Sequence, residues 1–125
     1  MKKTIYTETA PAAIGPYAQG VRNGDMVFVS GQLPIDPATG TITAKDIKEQ
    51  AKQSLENVKA ILESEDLTME DVVKTTCFIT DMAEFAAVNE VYAEYFKDSC
   101  PARSCVAVKE LPKQASFELE VIACK

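Results

Sequence analysis

From Phe117 to Ala123 the chain alternates. Phe117, Leu119, Val121 and Ala123 take every second position, and Glu118, Glu120 and Ile122 take the others. A two-residue period is that of a strand buried on one side only. Such a strand needs an apolar layer on one face and leaves its two carboxylates on the other. The sequence supplies that layer. Between Ala44 and Ser64, Ile47, Ala51, Leu55, Val58 and Leu62 recur at helical spacing, which predicts an amphipathic helix with one stripe for a sheet. Thr43 is placed to cap it, with Asp46 in the first turn. Asp81 and Glu84 have the spacing of a capping box and open a second helix. Phe85, Val88, Tyr92 and Tyr95/Phe96 share one side of it, and Pro101 stops it.

The other strands read more simply. Val72–Ile79 is dense in β-branched residues, and Met26–Ser30 is a short apolar run between Asp25 and Gly31. Residues 1–24 give an edge strand and then a loop punctuated by Pro11, Gly15, Pro16, Gly20 and Gly24. A strand carrying Arg103 follows Pro101. The order is β-β-α-β-α-β-β, an α+β layer with a mixed sheet and two helices on one face. The other face is left for water or for a second subunit. The 125 residues, 46% of them hydrophobic, suit a single domain over 1–125.

Charge and residue types narrow the chemistry. A net charge of −6 is the wrong sign for a general nucleic-acid binder or for anionic membranes. No apolar segment follows Lys2 and Lys3 as in a signal peptide, and none is long enough to span a bilayer, so a cytosolic location is expected. Cys77, Cys100, Cys105 and Cys124 form no Cys-x-x-Cys pair, and the chain has no histidine, so no zinc site is expected. The four thiols are expected to be free. There is no phosphate-binding glycine motif.

Chemistry therefore falls to Arg, carboxylates, hydroxyls, thiols and backbone amides. Arg103 is the only charge in its strand-like run and stands at the mouth of it. It has two readings: an ion pair with Glu118 or Glu120, or capture of a substrate carboxylate through its planar fork. Cys105 lies two residues on, on the same strand face. A nucleophilic Cys105 lacks a histidine base. Glu118 and Glu120 stand roughly 6.5–7 Å apart on one face, close enough to raise the cost of ionising both. Tyr17, in a loop of glycine and proline, is a packing anchor or a pocket wall. Ser30-Gly31-Gln32 ends an apolar strand either as a plain turn or where a ligand comes close. Asn89 interrupts the apolar residues in the middle of the second helix, as a wet-face residue does.

Taken together these segments resemble the Rid family (reactive intermediate deaminases, formerly YjgF), in particular its RidA branch. The carriers are Ala10-Pro11-Ala12-Ala13-Ile14-Gly15-Pro16-Tyr17-Ala18-Gln19-Gly20, Ser30-Gly31-Gln32-Leu33-Pro34, Gln53-Ser54-Leu55-Glu56-Asn57-Val58 and Val73-Lys74-Thr75-Thr76. To these are added Pro101-Ala102-Arg103-Ser104-Cys105-Val106, Leu111-Pro112-Lys113 and Glu118-Leu119-Glu120. The resemblance covers essentially the whole chain. It implies a chorismate-mutase-like fold with a mixed six-stranded sheet, and a homotrimer with active sites between subunits. It implies hydrolysis of 2-imino acids or their enamine tautomers, released by pyridoxal-phosphate dehydratases, to 2-oxo acids and ammonia. No cofactor or metal is implied.

By motif position, Arg103 would hold the substrate carboxylate and Glu118 would orient the attacking water. The backbone of Gly31 and Cys105 would contact the substrate, and Tyr17, Ser30 and Asn89 would line the cleft. Two departures stand out: Glu65-Asp66 replaces a glycine after the first helix, and Cys100 stands where an aromatic is common. Three further readings are a carboxylate-binding trimer acting as a metabolic sensor, RNA cleavage, and a holdase formed on thiol oxidation.

Overall fold

The computed structural model describes residues 1–125. Six strands form one sheet: β1 (Lys2–Ile5), β2 (Gly20–Asn23), β3 (Met26–Gln32), β4 (Val72–Ile79), β5 (Ala102–Ala107) and β6 (Phe117–Cys124). Their spatial order is β1-β2-β3-β6-β4-β5. Every pair is antiparallel except β4 and β5. Two helices, α1 (Ile47–Glu63) and α2 (Phe85–Tyr95), cover one face. The α+β architecture and the mixed six-stranded sheet are as expected.

The alternation in β6 does what its period requires. Phe117, Leu119, Val121 and Ala123 are buried against the helices, while Glu118, Glu120 and Ile122 point to the other face. β6 sits in the middle of the sheet, so its buried face touches both halves of the core. From α1, Ala51, Leu55, Val58, Ile61 and Leu62 are all fully buried. The opposite face has no helix over it. Phe28 and Val106 are more than 40% exposed there.

Several local expectations are corrected. Asp46, not Thr43, caps α1: its side chain accepts from the Glu49 N–H at 2.8 Å. Asp81 accepts from Ala83, but Glu84 does not reciprocate; the one capping box joins Thr68 and Asp71. Helix α2 ends at Tyr95, well before Pro101. The stretch read as loop before Gly24 contains β2. Asp66 has φ +61°, a left-handed turn after α1 that glycine adopts freely and aspartate tolerates.

The Pro- and Gly-rich stretch ahead of β2 is tied down by Gln19, which is 2% exposed. Its Oε1 accepts from the Thr7 N–H at 2.7 Å, and its Nε2 donates to the carbonyls of Thr7, Ala10 and Pro11 at 3.0, 3.3 and 2.8 Å. One buried amide thus satisfies backbone groups that no sheet or helix reaches. Gln19→Ala is expected to lower stability by about 2–4 kcal/mol, because those groups lose their partners. Urea unfolding of the purified variant measures it; a midpoint equal to that of the parent chain refutes the role.

Candidate active site

Apart from Cys105, which lines neither, the residues singled out from the sequence fall into two clefts. The first lies on the uncovered face and has a volume of about 580 Å³. Tyr17, Ser30, Gly31, Glu118 and Glu120 line it, joined by Ile14, Leu33 and Lys113. The second, of about 480 Å³, lies beside α2 and is lined by Asn89, Tyr92, Cys100, Pro101 and Arg103.

A break in the β3–β6 register builds the first cleft. The pairing shifts between Val29 and Gln32, so Ser30 and Gly31 occupy a bulge rather than the end of a strand. Ser30 anchors the bulge to the Tyr17 loop: its N–H donates to the Gln19 carbonyl at 2.9 Å and its Oγ to the Ala18 carbonyl at 2.6 Å. Tyr17 itself is 53% exposed and stands after Gly15, whose φ of +116° turns the loop. Gly31 is required by close approach. A Cβ there would lie 2.5 Å from Glu118 Oε2 and 2.8 Å from its Cδ. The missing side chain is the space in which the Glu118 carboxylate rests.

Burial, and secondarily the Glu120 charge, push the Glu118 carboxyl above its ordinary value. That is the direction expected for two carboxylates sharing a strand face, though desolvation leads. A carboxyl shifted this way takes up a proton more readily than a solvated one.

Arg103 departs from the ion-pair expectation. It makes no ion pair with Glu118 or Glu120, or with any other carboxylate. Its Nη1 donates to Asn89 Oδ1 at 2.7 Å, and its Cζ lies 4.8 Å from the Tyr92 ring centroid and 5.2 Å from that of Phe85. Asn89 is therefore a cleft residue. Phe85 and Tyr92, which the sequence places only on one side of the second helix, also stand beside Arg103. Helical spacing carried the signal, since Phe85, Asn89 and Tyr92 recur at steps of four and three on one side of α2.

A single chain keeps Arg103 and Glu118 apart. Arg103 pairs in register with Thr75 and Glu118 with Phe78, on opposite sides of β4. Two strand spacings and three residues of rise put their Cα atoms about 14 Å apart. Arg103 packs on α2, whereas Glu118 is on the uncovered face, so the two side chains also leave opposite faces of the sheet. One small substrate cannot touch both within one chain.

Cys105 pairs in register with Cys77 across β4 and β5. Burial pushes the Cys77 thiol up to about 12. Burial also raises Cys105, against a smaller lowering by Arg103, so the geometry gives no activated thiolate nucleophile. Iodoacetamide at pH 8 is expected to modify exposed Cys100 first and to leave Cys77 untouched in the native protein. Peptide mass mapping over time checks this, and early labelling of Cys77 refutes it.

Three comparisons bear on this arrangement. A family model described as Endoribonuclease L-PSP matches residues 7–125. A Salmonella typhimurium protein named 2-iminobutanoate/2-iminopropanoate deaminase is 55% identical over an alignment covering 100% of this chain and 99% of its own. A RutC family protein of Pyrococcus horikoshii is 53% identical over 100% and 99%. Among solved structures, Escherichia coli TdcF with bound serine superposes with a TM-score of 0.94 at 52% identity, covering 98% of each chain. The Rid family protein YyfA of Yersinia pestis gives 0.97 at 45% identity over 100% of both. With a full-length sequence match, a shared fold and its motif residues lining two clefts, the chain belongs to the Rid (YjgF) family, to which the endoribonuclease L-PSP model also refers.

Proposed function

We propose that the chain is a 2-iminobutanoate/2-iminopropanoate deaminase. It hydrolyses short 2-imino acids, or their enamine tautomers, released by pyridoxal-phosphate dehydratases, to 2-oxo acids and ammonia. The observation that carries this reading is the pair of half-sites: a cation free of any carboxylate partner on one, and a proton-accepting carboxyl behind a glycine on the other. Relatives named for that activity at 52–55% identity support it.

Two copies are needed to close a site. The Arg103 cleft of one chain faces the Tyr17–Glu118 cleft of a neighbour, and a homotrimer repeats that junction three times. The uncovered sheet face, with Phe28 and Val106 exposed on it, forms the centre of the assembly.

The chemistry asks little of the protein. An iminium carbon is already electrophilic, so the site must fix the substrate, supply one water and move protons. The Arg103 fork holds the carboxylate, with the backbone of Cys105 and of Gly31 alongside. Glu118 orients the water and takes its proton as oxygen bonds to the imine carbon. The protonated carboxyl then gives that proton to the amino group of the tetrahedral amino alcohol. Glu118, ionised again, takes the hydroxyl proton as the C–N bond breaks and passes it to the departing ammonia, which leaves the 2-oxo acid and ammonium. No step needs a cofactor or metal.

The test couples the purified chain to threonine dehydratase and follows ammonia release from the imine as it forms. Acceleration over the uncatalysed rate supports the reading, and an unchanged rate overturns it. Binding of 2-oxobutanoate without any acceleration would instead support a carboxylate-binding sensor. TdcF with bound serine shows a small amino acid, which also carries a carboxylate, held by a protein of this fold. The net charge of −6 argues against RNA as substrate.

A further inference from the structure

Arg103 is restrained entirely by neutral groups. Its one hydrogen bond goes to an amide oxygen, and its other contacts are the ring faces of Phe85 and Tyr92. Nε and Nη2 have no partner in the chain. A carboxylate in place of Asn89 would hold the guanidinium as firmly but would compete with an incoming anion. Ring faces and an amide restrain the cation and leave its charge available.

The platform is itself fixed. Tyr92 is 8% exposed, and its hydroxyl shares a 2.8 Å hydrogen bond with Thr75 Oγ1, which is fully buried. The Phe96 ring lies 4.6 Å from that of Tyr92. Thr75 is also the register partner of Arg103 across β4 and β5, so the residue that pins Tyr92 adjoins the arginine's own backbone. Phe85 opens α2 one turn before Asn89. All three contacts of the guanidinium thus come from α2, and Thr75 ties that helix to the strand beside β5.

We propose that Phe85 and Tyr92 are positioning residues that preorganise the Arg103 guanidinium, holding its free Nε and Nη2 donors ready for a substrate carboxylate. The proposal deepens the deaminase reading and rests on Arg103 as the carboxylate clamp. Preorganisation acts on binding, so its removal raises KM and leaves the chemical step alone. Phe85 is the better position to change because it is only partly buried, whereas Tyr92 belongs to the core.

The experiment compares Phe85→Leu with Phe85→Tyr in the full assembly. Phe85→Leu is expected to raise KM for the imine about two- to fivefold, with kcat within about twofold of the parent. Phe85→Tyr restores KM because it returns a ring face. Calorimetric titration with 2-oxobutanoate shows the same loss and rescue. The heteronuclear NOE of the Arg103 Nε–H falls in Phe85→Leu and recovers in Phe85→Tyr, which a merely structural role would not produce. A folded Phe85→Leu protein with unchanged titration and unchanged Nε–H order overturns the proposal, as does loss of kcat with no change in KM. If the parent chain hydrolyses no imine, the deaminase reading fails by itself. The titration and the Nε–H order then still decide whether the rings position Arg103.

Discussion

Arg103→Ala is expected to lower kcat/KM for imine hydrolysis by about a hundredfold to ten-thousandfold, through loss of two charge-assisted hydrogen bonds to the substrate carboxylate. The fold should survive the change. Arg103 is exposed, takes part in no ion pair, and contributes its backbone, not its side chain, to the pairing of β5 with β4. Its side-chain contacts are with Asn89, Phe85 and Tyr92, and Tyr92 keeps Thr75 as a partner without it. Arg103→Lys separates charge from shape. A lysine keeps the cation but loses the planar fork, so it should recover only part of the activity. The assay is ammonia release coupled to threonine dehydratase, with light scattering to confirm the assembly. Near-normal turnover by a folded Arg103→Ala protein would remove Arg103 from the mechanism and the carboxylate-clamp reading with it.

How much of this arrangement was legible in the sequence depends on the range of the interaction involved. Period-2 and helical patterns report which face of an element is buried, and β6 and α1 followed them closely. Strand β2 did not, because Gly20–Asn23 is too short to show a period and contains a glycine and an arginine. The bulge at Ser30–Gly31 was half-visible. A glycine at the end of an apolar run signals close approach, but it does not say that the strand resumes at Gln32. The separation of Arg103 from Glu118 was not legible at all. It follows from the parallel pairing of β5 on one side of β4 and the antiparallel pairing of β6 on the other. The motif residues therefore pointed to one chemistry without showing that a single chain holds Arg103 and Glu118 in separate clefts. Gln19 and Asn57 stood in the recognised motifs, yet both act structurally. The Asn57 Nδ2 donates to the carbonyls of Leu33 and Ile35, fixing the loop behind the first cleft to α1.

Glu118→Gln is expected to move activity and stability in opposite directions. The Glu118 carboxyl is raised in the fold by burial and then by Glu120, so the native state binds its proton more tightly than the unfolded chain does. The stabilisation that comes with that proton is complete below the unfolded value and is lost as pH rises through the folded one. At neutral pH an ionised Glu118 therefore works against the fold, and glutamine in its place should leave the melting temperature unchanged or higher. Catalysis should suffer instead. A positioned general base contributes about a hundredfold to ten-thousandfold, so kcat should fall by at least about a hundredfold when the amide can no longer take the proton of water. The acid limb of the kcat/KM profile should lie above the ordinary glutamate range in the parent and vanish in the variant. Gly31→Ala supplies the complementary perturbation: the carboxyl is retained, but the new Cβ occupies its resting place, and the flexible end of Glu118 must swing away. Misplacement by about 1 Å costs on the order of a hundredfold in rate, so Gly31→Ala should approach the glutamine variant in activity while keeping an acid limb. Gly31 does not have a positive φ, so alanine brings no backbone strain to confuse the comparison. Parent-like turnover in Glu118→Gln would leave water activation to some other group. A fall in melting temperature alongside lost activity would mean that Glu118 is a structural carboxylate whose ionised form the fold requires.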